Sequence, residues 1–301
     1  MSAIDVDSIS KRYGDFEAVR DLSFSVQSGE VFGLLGPNGA GKTTTIRMLM
    51  DIIKPDAGHI RILGESPSAA TKNRIGYLPE ERGLYKGLKV MDTLVYLAAL
   101  KDVSRHEAEQ HAAVLLRQVE LWDKRNQKIS ALSKGMQQKL QLIVTILHDP
   151  DLVVLDEPFQ GLDPINTEVI QQMIATLPAQ GKTVILSTHM MNQVERLCDR
   201  ILLIDHGRSL LYGRLDDIKA QFANNAVILR AASDLDWLTG VKYMDHPGRY
   251  YELYLEDRTT PQDILQQLVR AGVEVQEFEV ATPTLNEIFI DVVRNNSEIG
   301  D

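Results

Sequence analysis

The sequence predicts an α/β fold around a phosphate-binding loop, with a helical subdomain inserted into it and a small α+β domain after it. Three observations carry this expectation. Short apolar runs alternate with helical patterns over the first 220 residues, as in a sheet whose strands are buried on both faces. Residues 36–43 read Gly-Pro-Asn-Gly-Ala-Gly-Lys-Thr, a complete G-x-x-x-x-G-K-T segment between an apolar run and a helical pattern. Between Val90 and Leu147 the apolar period becomes helical.

The elements follow in chain order. Val31–Leu35 reads as a buried strand entering the Gly-rich loop, and Thr43–Ile53 as the helix leaving it. In the inserted helical stretch, about residues 81–150, Leu94, Leu97 and Ala98 share one face, as do Leu140, Ile143, Val144 and Leu147. Leu152–Leu155 and Val184–Leu186 are further buried strands, which completes a domain over residues 1–220. Around Asp216–Asn225 the pattern loosens into a polar linker. The second domain, 221–301, has strands at Ala226–Arg230, Tyr250–Leu255 and Val273–Val280, and helices at Pro261–Arg270 and Thr284–Val293. Pro261 suits a first helical position, where the missing N–H costs nothing. Tyr243, Tyr250, Tyr251 and Tyr254 alternate as core or interface residues do, and core is the expected reading.

Composition narrows the function. A chain of 301 residues with 44% hydrophobic and 25% charged residues has the make-up of a globular protein with a sizeable core. No apolar run approaches the ~20 residues that cross a bilayer; Leu94–Leu100 and Ile201–Ile204 are core-sized. The start, Met1-Ser2-Ala3-Ile4-Asp5, has no basic segment leading into an apolar one, so no secretory signal is expected. The single cysteine, Cys198, cannot form an internal disulfide and reads as a buried small hydrophobe. Net charge is −10, and residues 221–301 hold 6 Lys and Arg against 14 Asp and Glu. Such a surface repels a phosphodiester backbone, so no nucleic-acid partner is expected.

The Gly-rich segment carries specific chemistry. Gly36, Gly39 and Gly41 let the backbone curl its N–H groups inward onto phosphate oxygens, and the helix behind adds its positive N-terminus. Lys42 supplies a point charge for the β- and γ-phosphates, and the Thr43 hydroxyl suits Mg²⁺. The glycine spacing is not the G-x-G-x-x-G of dinucleotide binding. Further on, Leu152-Val153-Val154-Leu155-Asp156-Glu157-Pro158 is an apolar strand ending in two carboxylates. Asp156 is placed to hold Mg²⁺, and Glu157 to polarise an attacking water.

Between these segments lies Leu132-Ser133-Lys134-Gly135-Met136-Gln137-Gln138. In this order and spacing, residues 1 to about 220 resemble the ATP-binding cassette (ABC) ATPases, a branch of the P-loop NTPases. The resemblance implies ATP and Mg²⁺ as cofactors, with Asn38 and Thr44 completing the nucleotide contacts. Tyr13 matches the aromatic residue that stacks on adenine. Ser133 and Gly135 match the signature residues that reach a partner's γ-phosphate. Asp163, in Gly161-Leu162-Asp163-Pro164, matches the dimer-contacting loop, and His189 the histidine that senses the γ-phosphate. On this reading the catalytic set is Lys42, Glu157 and His189. Two chains, as a homodimer or a paralogous heterodimer, close over two ATP molecules and drive an integral membrane permease from the cytoplasmic face of the membrane.

Two positions depart from the family pattern. Glu80 follows Gly76-Tyr77-Leu78-Pro79 where most relatives have Gln, and Lys134 replaces the first glycine of the signature. With Thr284-Leu285-Asn286-Glu287-Ile288-Phe289, these departures resemble a branch of bacterial exporters that includes sodium-extruding and drug-resistance ATPases. Three other readings fit less well. A soluble ATP-gated switch lacks a second cassette here, a GTPase lacks its N-K-x-D motif, and a silent regulatory subunit would not need Glu157, His189, Ser133 and Gly135 together.

A carboxylate at position 80 can bind the metal but repels the triphosphate unless metal-bound or protonated. Glu80→Gln is therefore expected to shift the Mg²⁺ concentration that half-saturates ATP turnover. Unchanged turnover and Mg²⁺ dependence would remove Glu80 from the metal set.

Overall fold

The computed structural model describes residues 2–298 apart from 81–82, 223–225, 232–234, 247 and 257. β1 (Ser2–Tyr13) and β2 (Phe16–Gln27) form an antiparallel hairpin with Ile4, Val6, Ile9, Leu22, Phe24 and Val26 turned into the core. β3 (Val31–Leu35) is buried at all five residues and leads through the Gly-rich loop into α1 (Lys42–Leu49). β4 (Ala57–Ile62) pairs antiparallel with β1, giving a three-stranded sheet of order β2-β1-β4.

After α2 (Ala69–Asn73) and β5 (Ile75–Leu78) come three helices, α3 (Val90–Ala99), α4 (Arg105–Gln118) and α5 (Lys134–Ile146). The chain then returns as β6 (Leu152–Asp156), α6 (Pro164–Thr176), β7 (Thr183–Thr188), α7 (Met191–Leu197), β8 (Arg200–Asp205) and β9 (Arg208–Arg214). The second sheet has the order β5-β6-β7-β3-β8-β9, parallel except for the antiparallel edge strand β9.

Between the two sheets, Ile46, Met48 and Leu49 of α1 pack with Ile4, Leu22 and Phe24 on one side and Phe32, Val154, Ile185 and Leu202 on the other. Phe24 and Phe32 stack with ring centroids 5.7 Å apart. Full burial of one such ring is worth about 1.5–3 kcal/mol. A surface pair such as Lys11–Asp56, at 2.6 Å, contributes about 0–1 kcal/mol, so apolar packing decides how the sheets sit.

The chain divides into two compact units, the boundary falling between Leu215 and Asp216. At the boundary α8 (Leu215–Gln221) opens the second unit, which continues as β10 (Ala226–Ala231), β11 (Val241–Asp245), β12 (Tyr251–Leu255), α9 (Pro261–Arg270), β13 (Val275–Val280) and α10 (Leu285–Glu298). Its sheet is antiparallel, in the order β11-β12-β10-β13. Val227, Leu229, Leu253 and Leu255 pack against Ile264 and Leu268 of α9.

Several sequence expectations are corrected here. The helix after the phosphate loop stops at Leu49, with Asp51 in the left-handed region at φ 54°, and does not reach Ile53. The stretch 216–225 begins as α8 rather than a loose linker, with Asp216 and Asp217 favourably placed in its first turn; residues 223–225 lie outside the described ones. The core of the second unit is aliphatic. Tyr251 packs on its margin, while Tyr243 is 57% exposed. β11 escaped notice because Val-Lys-Tyr-Met-Asp carries no alternation of polarity.

α4 and α9 end in the same way. In α4, Glu120 N–H donates to Arg117 O (3.1 Å) and Leu121 N–H to Leu116 O (2.7 Å); in α9, Gly272 N–H donates to Val269 O (3.1 Å) and Val273 N–H to Leu268 O (3.0 Å). Both are Schellman closures, which place one residue at positive φ. Gly272 takes φ 67° freely, whereas Glu120 is held at φ 61°. That conformation costs an L-residue about 1–2 kcal/mol, against about 0.5–1 kcal/mol of extra entropy lost by glycine. Glu120→Gly should therefore raise the unfolding free energy of the first unit by about 0.5 kcal/mol, read as a higher urea midpoint.

Candidate functional site

The site begins at the C-terminal end of β3, which lies between β7 and β8. Two glycines of the loop are sterically required. Gly36 has φ 149°, and a Cβ there would fall 2.1 Å from the Ile204 carbonyl oxygen. Gly41 has φ 108°, and its Cβ would fall 2.5 Å from the Ala18 carbonyl oxygen. Gly41 also starts α1, its carbonyl accepting from both the N–H and the hydroxyl of Thr45 at 2.9 Å. The loop thus delivers the helix N-terminus to its own concave side, where an anion is stabilised.

Lys42 is buried, and its Nζ donates to Gly36 O (2.7 Å) and Pro37 O (3.0 Å). Burial lowers its pKa, opposed by the charges of Glu157, Asp156 and Glu80. Those three carboxylates and Lys42 line one cavity of about 340 Å³ with Thr43, Thr44, Asn38, Gly39 and Gly41. One ammonium faces three carboxylates there, a balance that calls for further positive charge when a triphosphate is present.

Asp156 ends β6 and is 1% exposed. Among the described residues no donor meets either of its carboxylate oxygens in hydrogen-bond geometry, and the buried Ser187 hydroxyl likewise meets no partner in that geometry. Burial pushes the Asp156 pKa up, as do Glu80 and Glu157; the nearby Ser187 and Thr43 hydroxyls pull it part of the way down. An unpartnered buried carboxylate normally costs several kcal/mol, about enough to exclude it from a core without a purpose. Here the carboxylate lines one cavity with Thr43, a hard-oxygen set suited to Mg²⁺ completed by phosphate and water. Among the described residues no three His, Cys, Asp or Glu side chains gather as a metal cage.

Glu157 follows at φ 49°, an unusual backbone state for a glutamate, with its N–H bonded to Ser187 O (2.9 Å). Its side chain is buried. Oε2 accepts from the Thr188 hydroxyl at 3.3 Å, and Oε1 lies 2.8 Å from His189 Nδ1. A carboxylate only accepts, so His189 presents a protonated Nδ1 to it. The His189 side chain is 46% exposed, so its ring spans from the buried carboxylate to solvent. The end of β7 therefore fixes Glu157 through three successive residues, Ser187, Thr188 and His189.

The cavity's outer rim is aromatic. Tyr13 ends β1, half-exposed, and Phe16 begins β2 directly opposite it; both line the cavity. Glu80 lies exposed after β5 and reaches the same space; residues 81–82 beyond it lie outside the described ones.

Ser133, Gly135 and Asp163 do not line this cavity. Ser133 caps α5, its Oγ accepting from Met136 N–H at 3.2 Å. Gly135 lies in the first helical turn rather than ahead of it, and a Cβ there would fall 2.6 Å from Asn166 Nδ2. Asp163 caps α6, with Oδ1 accepting from Asn166 N–H at 2.9 Å. These residues form a second cluster, tied to the chain after Glu157 by buried Gln138, whose Nε2 donates to Pro158 O (3.0 Å) and Gln160 O (3.1 Å). Sequence reasoning passed over Gln138, Thr188 and Phe16. Only Phe16 left a signal, a large apolar residue beside Gly14-Asp15 at a turn where polar residues are usual.

Comparisons with known proteins agree on one family. Residues 19–160 match the ABC transporter family model, and residues 213–293 match the model described as ATP-binding protein DrrA1-3-like, C-terminal domain. An uncharacterized ABC transporter ATP-binding protein, YhaQ, of Bacillus subtilis (strain 168) is 38% identical over 96% of this chain and 97% of its own. The Nod factor export ATP-binding protein I of Rhizobium etli is 36% identical over 99% of this chain and 95% of its own. A solved ATP-binding subunit of an ABC transporter superposes with a TM-score of 0.67 at 33% identity, covering 73% of this chain and 93% of that one.

The charge at Asp156 has a measurable sign. Its native pKa lies above the ordinary aspartate value of 3.8, so the folded state holds this proton to higher pH than the unfolded chain. Stability without ligands therefore falls as pH rises from 3.8 through the native pKa. At pH 7 in chelator, Asp156→Asn should unfold about 1–3 kcal/mol harder than wild type, measured by urea titration. Mg²⁺ with ATP should then stabilise wild type and fail to stabilise the variant.

Proposed function

This chain belongs to the ABC transporter ATP-binding proteins, ATP-hydrolysing subunits of transporters, and from that premise we propose that it powers a separate membrane permease, as an exporter. The observation that carries this reading is the pair of adjoining buried carboxylates at the end of β6. Among the described residues no donor meets the Asp156 oxygens in hydrogen-bond geometry, and Glu157 is held by Thr188 and His189. The export direction is supported by similarity to the Nod factor export proteins.

In the proposed reaction the backbone N–H groups of residues 36–43 and the α1 N-terminus receive the β- and γ-phosphates. Lys42 releases the Gly36 and Pro37 carbonyls and turns its ammonium to the γ-phosphate. Thr43 and Asp156, with Glu80 at the rim, would hold Mg²⁺, which when bound offsets phosphate charge. Glu157 accepts a hydrogen bond from the attacking water and takes its proton as the water oxygen bonds to the γ-phosphorus and the bond to the β–γ bridging oxygen breaks, leaving ADP and phosphate. His189 keeps the carboxylate oriented and offers its outer face to the γ-phosphate. Tyr13 stacks on the adenine.

Ser133, Gly135 and Asp163 belong to the second cluster, away from the cavity that holds Lys42. We assign them to the nucleotide of a second ATPase chain, so that two chains bury two ATP molecules between them and part after hydrolysis. The membrane-spanning part is then another polypeptide, with this chain on the cytoplasmic face. Among the described residues no helix is long and apolar enough to cross a membrane.

Glu157→Gln keeps the size and shape of the side chain but removes its basicity and turns one of its two accepting oxygens into a donating amide. ATP turnover should fall by about 10²-fold or more, with ATP affinity retained. Equal turnover in both proteins would remove Glu157 as the base. Gentle solubilisation of membranes carrying the tagged Glu157→Gln chain, with ATP present, should yield a polytopic membrane protein in stoichiometric amount. Recovery from cytosol with no such partner would overturn the permease reading.

A further inference from the structure

We propose that Phe16 is a second base-binding residue, which with Tyr13 forms an aromatic slot that favours purine over pyrimidine triphosphates. The inference rests on the ATP site proposed above and goes beyond it at a residue given no role there. Phe16 is 61% exposed, more than the Tyr13 across from it at 47%. Packing within the fold therefore does not account for a phenylalanine at this position. The hairpin register pairs Tyr13 with Phe16 across Gly14-Asp15. Cross-strand partners project to the same side of a sheet with their Cβ atoms about 5 Å apart, close enough for facing rings to pack on each other. Among the described residues no ring contact joins the two.

Both instead border the cavity that contains Asn38, Lys42 and Thr43. Ala18, two residues beyond Phe16 where the hairpin register shifts, is buried and lines the cavity too. Two ring faces over a small floor residue, opening onto a phosphate loop, make a site for a flat ring attached to a triphosphate. A purine offers more stacking area than a pyrimidine, so each wall adds to discrimination between them.

The test measures binding of Mg²⁺-ATP, Mg²⁺-CTP and inorganic tripolyphosphate with Mg²⁺ to the full chain by calorimetry. Phe16→Ala should weaken ATP binding about tenfold, the scale of one lost base–aromatic contact. It should narrow the ratio of ATP to CTP affinity and leave tripolyphosphate binding unchanged, while Phe16→Tyr restores both values. In Phe16→Trp, ATP should quench the new indole fluorescence and tripolyphosphate should not. Unchanged ATP affinity in Phe16→Ala would overturn the proposal, as would an equal loss for ATP and tripolyphosphate. A wild-type chain that bound none of the three would instead overturn the nucleotide site itself, and the slot with it.

Discussion

The constraint on which the first unit depends is electrostatic: Asp156 and Lys42 are both withdrawn from water within one cavity, yet neither neutralises the other by direct contact. Lys42 is folded back on two carbonyls, and among the described residues no donor meets Asp156 in hydrogen-bond geometry. Desolvating either ion costs several kcal/mol. Strands β3, β6 and β7 offset that cost through apolar burial, with Phe32, Leu34, Val154, Leu155, Ile185 and Leu186 packed into the interior. The rigid sheet holds Asp156 where its charge is individually unfavourable, so a cation meets that carboxylate already in position, while Lys42 exchanges two carbonyls for its ligand. This is preorganisation in the sense that matters for catalysis: the cost is met in folding rather than at the moment of reaction.

The same sheet explains why Glu157 can hold an unusual backbone state. A left-handed glutamate costs about 1–3 kcal/mol. Its N–H is fixed on Ser187 and its side chain on Thr188 and His189, all at the end of the neighbouring parallel strand. Because β6 and β7 pair in register from Leu152↔Thr183 to Asp156↔Ser187, a slip of one strand would break all three contacts at once. Local strain at one residue is thus supported by pairing along the whole strand.

How far the sequence discloses this arrangement depends on the range of the interaction. The phosphate loop is local: glycine spacing dictates a curl, and Gly36 and Gly41 take the positive φ values that the pattern implies. The carboxylates of Asp156 and Glu157 are legible as the end of an apolar run. What joins β6 to β7 is not, because Thr188 and Glu157 are 31 residues apart and their contact depends on strand order. Gln138 is hidden for the same reason, its two carbonyl partners lying 20 and 22 residues away. In the second unit the tyrosines misled because alternation identifies a sheet face but not which face is covered. The covered one carries Val227, Leu229, Leu253 and Leu255, which are aliphatic.

Gln138 also bears on why two clusters occur in one chain. Its amide is buried, and each of its two N–H bonds goes to a backbone carbonyl of the segment immediately after Glu157. Leaving a buried amide unsatisfied costs about 1–3 kcal/mol, so α5 and this segment separate only at that expense. Gly135 adds a steric tie, since the Asn166 side chain occupies the space a Cβ would need, and Asn166 is itself held by the Asp163 cap. The start of α5 and residues 158–166 consequently behave as one packed body, and Glu157 is its first neighbour along the chain. Close-packed interiors transmit displacement rather than absorb it. A ligand that pulled on Ser133 from outside would therefore load the backbone adjoining Glu157, whereas one held only by the phosphate loop would not. The two clusters are separate surfaces, and the short stretch after Glu157 is one direct connection between them.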